Sequence, residues 1–462
     1  MKRPGLLILA IISLTSLRAA ELPALWAERL KSVVAVEYFT ETETDRRPSV
    51  AYGVVVDAQG TIILPSAAID PRAVPSQLKE FKVYLPGDPT SATAEYLGQD
   101  ALTSWHFVRV EERLRAQLTP ITKFASAAAT PEPALAEEIW GIGLRNKDEN
   151  FTPYLLTSRI ALIQSLPQRT AIAQHEVAGP GLPVFNREGL FIGLAATSFG
   201  QTFLQFSRSE RGGSPTMLIN VEESSAFQVA EEVLPYLGRV PKSVFGRPLA
   251  WLGAYGFEPM DREVAKFLKL ESQSGAVVSE VLEGSPAEKA GMQARDIVLA
   301  INGQPLPRFK PDRVVVSYVE REVERRAPGD TLTLTVLRGA DRVELKATLG
   351  EEPKLMREAA RKYYERLGFT AREFVYGDAV ARRVKVAEGA GVVAHFVKPN
   401  SPVSIAGLRT DDWIKEIDGV ETKTFEAATE KLAATEADTL RTEFVLLVSR
   451  GGETAVLRVK LK

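Results

Sequence analysis

The second half of this 462-residue chain repeats itself. The segment GSPAEKAGMQARDIVLAINGQ, from Gly284, aligns without a gap on NSPVSIAGLRTDDWIKEIDGV, from Asn400. Ser285, Pro286, Ala290, Gly291, Asp296, Ile301 and Gly303 meet Ser401, Pro402, Ala406, Gly407, Asp412, Ile417 and Gly419, each pair 116 positions apart. Gly275 and Gly391 keep the same spacing. An ungapped match of this kind reads as two copies of one folding module. Its local chemistry is legible. Ser285 is a helix N-cap, Pro286 takes the first helical position where a missing N–H is harmless, and Glu288 completes a capping box. Gly291 stops the helix, the strand DIVLAIN follows, and Asn302-Gly303 turns it. The second copy keeps the Ser-Pro start, the Gly407 stop and an Asp418-Gly419 turn. Each copy then predicts a longer helix, roughly 311–326 and 424–436, and a closing pair of alternating strands.

These residues resemble PDZ domains of the bacterial type over residues 244–462. The resemblance implies small β-barrels with two helices, which take up an extended peptide by strand addition beside the second helix. It further implies that a hydrophobic-Gly-hydrophobic loop offers backbone amides to a peptide's terminal carboxylate. The matching loops are Trp251-Leu252-Gly253-Ala254 and Arg366-Leu367-Gly368-Phe369. A glycine there either lets amides approach an anion or merely turns the chain. Ala254 is smaller than the aliphatic residue usual at its position. Between the copies, KLMREAARKYYERL reads as a connecting helix.

The first half has a different texture. Short β-type runs (VVAVEYF, GVVVD, TIIL, FKVYL, HFVRV, LLTSRIALI, LFIGLAA) are separated by turn residues, the pattern of a barrel or sandwich. A helix is expected at 224–237, and 239–242 (RVPK) read as a hinge. Before all of this, Lys2 and Arg3 precede a short apolar core, Leu6 to Leu14, and small residues at Ala19 and Ala20: the build of a cleavable signal peptide. That predicts a periplasmic or secreted protein with no stable membrane insertion. The chain has no cysteine and only three histidines. Thiol catalysis, disulfides and thiolate metal sites are therefore ruled out, and neither metal nor cofactor is expected. A net charge of −2 gives nucleic-acid binding no electrostatic support.

A β-rich exported domain ahead of two PDZ copies resembles the HtrA/Deg family of periplasmic serine proteases. The resemblance rests on Gly53-Val54-Val55-Val56-Asp57 with Gly60-Thr61-Ile62-Ile63, on Leu97-Gly98-Gln99-Asp100, on Trp140-Gly141-Ile142-Gly143, and on Pro183-Val184-Phe185-Asn186 with Ile192-Gly193. It implies a mainly β fold: a trypsin-like double β-barrel followed by two PDZ domains. The expected limits are 1–20 signal peptide, 21–238 barrels, 243–350 first PDZ domain, 351–365 connecting helix and 366–462 second PDZ domain. The family's catalytic residues do not carry over. Its histidine position falls on Ala67, its aspartate position on Ser104, and its nucleophile position on Pro180. Ala67 cannot accept a proton, Ser104 cannot balance an imidazolium, and Pro180 lacks both a hydroxyl and an oxyanion-binding N–H.

The sequence therefore predicts a non-catalytic pseudoprotease. It would bind peptides or protein C-termini, unfolded envelope proteins among them, as a scaffold, chaperone-like or regulatory protein. A homo-trimer or a mixed oligomer with an active homologue is implied by the family, with Trp26 and Phe39 as contact residues or simply as core. The competing expectation is an active serine endopeptidase with displaced residues drawn from His106, His175, Ser66 and Ser198. A third is an assembly factor whose PDZ domains serve only self-contact.

Overall fold

The computed structural model describes residues 22–71, 73–126, 132–165, 168–196, 226–246, 249–309, 311–385, 389 and 391–461. The signal-peptide expectation and Ser198 lie outside them. Six strands form a first closed barrel: β1 Val33–Glu41, β2 Arg46–Val55, β3 Thr61–Leu64, β4 Leu78–Tyr84, β5 Ser91–Gln99 and β6 His106–Val110, in the order β1-β2-β3-β6-β5-β4. Six more form a second: β7 Glu138–Leu144, β8 Pro153–Gln164, β9 Thr170–Ala173, β10 Pro183–Asn186, β11 Phe191–Ala195 and β12 Ala226–Val229. The chain is mainly β, with a trypsin-like pair of barrels.

Strand alternation decides which side chains reach the space between the barrels. Ile63 pairs with Phe107, and both belong to the core shared by the two barrels. Leu64 pairs with His106, and Leu64 and Val108 belong to the interior of the first barrel. His106 therefore faces inward, away from the inter-barrel space.

Two further β-rich units follow. The first holds β13 Ala250–Trp251, β14 Ala254–Tyr255, β15 Glu258–Pro259, β16 Ala276–Val277, β17 Glu280–Val281, β18 Ile297–Ile301, β19 Gln304–Pro305, β20 Thr331–Arg338, β21 Asp341–Thr348 and β22 Gly350–Glu351, with a helix at Val314–Glu324. The last holds β23 Arg361–Tyr364, β24 Phe369–Glu373, β25 Val392–Val397, β26 Trp413–Ile417, β27 Val420–Glu421, β28 Glu443–Arg450 and β29 Glu453–Lys460, with a helix at Phe425–Ala437. Local rules explain the common parts. Ser285 accepts from the Glu288 amide at 3.1 Å, while Glu288 accepts from the Gly284 amide at 2.7 Å. Ser401 caps Pro402–Ile405 by accepting from the Ser404 amide at 3.3 Å. Asp296 is buried and gripped by a forked Arg338 at 2.7–2.8 Å; Asp412 is gripped by Arg450 at 2.5–2.6 Å.

Two expectations fail. No helix spans 351–365: turns at 356–359 lead into strand β23. Tyr363 and Tyr364 favour a pleated, half-buried surface, and β24 supplies a partner edge that the local sequence cannot reveal. The helix expected at 224–237 is mostly strand and turn where it is described. Residues 226–229 close the second barrel between β9 and β11, and only 230–233 form an α-helical turn before a 3₁₀ turn containing Pro235.

Candidate functional site

A cavity of about 250 Å³ lies between the barrels, lined among others by Pro65, Ser66, Thr103, Trp105, Gln168, Gly181 and Gln228. Ala67, Ser104 and Pro180 each directly adjoin a lining residue, so the three loops do converge on one cleft. Ala67 sits in a 3₁₀ turn, 66–68, and is exposed. Ser104 is held at φ +57°, a left-handed conformation that costs a non-glycine residue energy. Pro180 is exposed.

The lining offers two hydroxyls, two carboxamides and an indole. Among the described residues it contains no histidine and no carboxylate. The backbone near Pro180 is committed elsewhere. Gly179 donates to the Ile142 carbonyl at 2.9 Å and Gly181 to the Ala195 carbonyl at 3.1 Å. A side chain at Gly181 would stand 2.8 Å from the Pro65 ring, which packs directly over this loop.

The titratable residues nearby have other work. His106 Nδ1 lies 2.9 Å from the Tyr96 hydroxyl, and Tyr96 stacks on Phe81, which stacks on Tyr38. Burial pushes the His106 imidazole down to about 4, so it is neutral at pH 7. Its Nε2 is buried without a partner. His175 is exposed beyond β9, and its amide bonds the Ser158 hydroxyl. Asp100 is fully buried four residues before Ser104. It accepts from the Thr103 amide and hydroxyl at 3.0 and 2.9 Å, and from Arg239 Nε at 3.0 Å on both oxygens. That carboxylate anchors the segment read as a hinge. Trp26 packs against Trp140, and Phe39 lies under the Arg46 guanidinium, so both are engaged within the chain.

The two amide-bearing loops differ. In the first, Leu252 is buried and the Gly253 carbonyl accepts from Leu282 at 2.9 Å. A Cβ on Gly253 would meet Ser285 Cβ at 2.2 Å, so only glycine fits; Gly368 and Ser401 repeat the arrangement at 2.2 Å. The Gly253 amide has no partner among the described residues, and β14 pairs only with β17. Trp251 flanks this loop and meets Tyr376 edge-on, 5.4 Å between ring centres. In the second loop every element is engaged. The Arg366 and Leu367 amides donate to the Glu436 carboxylate at 2.8 and 3.2 Å, and the Gly368 amide donates to the Tyr364 carbonyl at 2.7 Å. Phe369 pairs with Tyr364. Sequence reasoning missed Tyr364 and Glu436. The alternation of RKYY was the available signal for the first; nothing local marks the second.

Comparison with known proteins bears on this arrangement. A PDZ domain family model matches residues 277–326. The protein of Ectopseudomonas mendocina named "Probable periplasmic serine endoprotease DegP-like" is 26% identical over 292 residues, covering 61% of this chain and 54% of its own. A protein of the same name from Brucella suis is 27% identical over 245 residues, covering 53% and 42%. The one from Rhizobium meliloti is 24% identical over 344 residues, covering 73% and 62%. The chain is a relative of the HtrA/DegP-type serine proteases. It spans about half the length of the first of these curated relatives. Among solved structures, an HtrA-type protease AlgW with a decapeptide is 16% identical, with a TM-score of 0.49, covering 71% of this chain and 98% of that one. The HtrA/DegP relatives are named as periplasmic serine endoproteases. In this relative, no helix among the described residues is long and apolar enough to cross a membrane.

Proposed function

We propose that this HtrA/DegP relative captures extended or C-terminal peptide segments of exported proteins and does not cleave them. The barrels act as scaffold, and the units at 243–350 and 366–462 are two PDZ copies, with the first loop, Trp251 to Ala254, as the receiving site. Residues 1–20 serve as the export signal. The observation that carries this reading is the inter-barrel cleft, whose described lining has no ionisable group to activate a hydroxyl. Proton abstraction needs a base within hydrogen-bond reach of the nucleophile. The one buried imidazole nearby faces the interior of the first barrel. Losing a triad nucleophile or base costs about 10⁶-fold in turnover, and here all three positions are changed.

The test uses the purified chain. It should neither turn over casein nor react with a fluorophosphonate probe. It should bind peptides ending in a free carboxylate, with affinity at least tenfold weaker after Gly253→Glu in protein that keeps its circular dichroism. Casein turnover abolished by replacing His106 or His175 would establish the competing endopeptidase reading instead. A defined trimer by light scattering that ignores every peptide would favour an assembly role.

A further inference from the structure

We propose that the second groove holds a ligand supplied by the chain itself, so that the molecule presents one open peptide groove instead of two. This rests on reading both units as PDZ copies. Strand β23 adds to the outer edge of β24 in antiparallel register, from Arg361 opposite Arg372 to Tyr364 opposite Phe369. It runs toward the amide-bearing loop, as an added peptide strand would. Its last residue, Tyr364, is 1% exposed. The ring packs 5.7 Å from that of Phe369, and the hydroxyl donates to the Thr429 carbonyl on the helix Phe425–Ala437 at 3.2 Å. The tyrosine thus fills the space between the strand and the helix.

The anion position is filled too. Glu436, on that helix, places its carboxylate on the Arg366 and Leu367 amides, and the Tyr364 carbonyl takes the Gly368 amide. The Arg366 guanidinium closes the other side by donating to the carbonyls of Thr435, Glu436, Asp438 and Arg441 at 2.6–3.3 Å. A strand, a side chain in the pocket and a carboxylate on the amides are the three parts of a bound C-terminus, and all are present. The first unit contrasts with this. Counting back from Gly253 as from Gly368, Pro248 stands where the second unit has Tyr363. A proline has no N–H to give a sheet ladder. Among the described residues the Gly253 amide has no partner and β14 pairs only with β17.

Hydrogen exchange on the full chain tests the idea without any external ligand. Amides 367–371 should be strongly protected, and Glu436→Ala should speed their exchange at least tenfold while leaving β26 and β28 unchanged. Glu436→Gln, which keeps one accepting oxygen, should fall between. Exchange unaltered by either substitution would overturn the proposal. So would a uniform increase across the sheet with Glu436→Gln. A calorimetric arm uses a synthetic peptide of residues 357–364 with a free carboxylate. Wild type should bind one equivalent, and so should an oxidised Tyr363→Cys/Thr370→Cys chain, whose cross-strand disulfide locks β23 in place. Tyr364→Ala/Glu436→Ala should bind two. Two equivalents on wild type would also overturn it while upholding peptide capture. No binding to any form would remove peptide capture, and the exchange result would still decide the self-occupied groove.

Discussion

His106 is buried with Nδ1 on Tyr96, and the nearby Arg357 charge opposes a positive charge on the ring. Charging it on folding is therefore costly, which is what its depressed value of about 4 expresses. The sign follows from linkage. The unfolded chain, with an ordinary value near 6.5, binds this proton in the window between 4 and 6.5 while the folded chain does not. The associated stability is complete above pH 6.5 and is lost as pH falls to 4, about 3 kcal/mol in all. Denaturant midpoints from pH 7 to 4 should show this loss, and His106→Phe should flatten it. Ser104 is the other residue under local stress. Its left-handed backbone predicts that Ser104→Gly stabilises the first barrel by about 1 kcal/mol, seen as a Tm higher by a few degrees.

At the scale of elements, the proposed loss of catalysis involves backbone as well as side chains. The loop between β9 and β10 spends the Gly179 and Gly181 amides on the carbonyls of Ile142 and Ala195, and Pro65 covers Gly181. Restoring residue types with Ala67→His, Ser104→Asp and Pro180→Ser should therefore give no casein turnover above a buffer control. Much of this was readable beforehand. The Ser-Pro caps and the strands TIIL and HFVRV follow from chemistry within a few residues, so the sequence predicts them, whereas the grips of Arg338 on Asp296 and of Arg450 on Asp412 join residues 42 and 38 positions apart. The proposed loss of the catalytic positions at Ala67, Ser104 and Pro180 rests on motif departures in the sequence. Strand β23 was not, because KLMREAARKYYERL is rich in helix formers and its fate is decided by an edge that exists only once β24 has folded. The Pro65 cover and the Glu436 contact were equally hidden, since each joins residues far apart along the chain. Arg239 was read as hinge because nothing nearby in sequence points to Asp100.

Over the whole molecule, the junctions between units are polar and specific. Arg239 pairs with the buried Asp100, Thr370 donates to Glu43 at 2.6 Å, and Arg357 reaches Gln99 and the Phe245 carbonyl. The first of these carries the most weight, because removing the arginine strands a carboxylate out of water. Arg239→Ala should cost about 3 kcal/mol, and calorimetry should then resolve the barrels from the C-terminal units as separate transitions. The ring contact between Trp251 and Tyr376 has a practical side. One aromatic belongs to the loop proposed to receive the peptide and the other to the neighbouring unit. An arriving guest that shoulders the indole aside would alter its emission, giving the molecule a native optical gauge of occupancy. Titration should shift the fluorescence of the wild-type chain, and the change should vanish in Trp251→Phe.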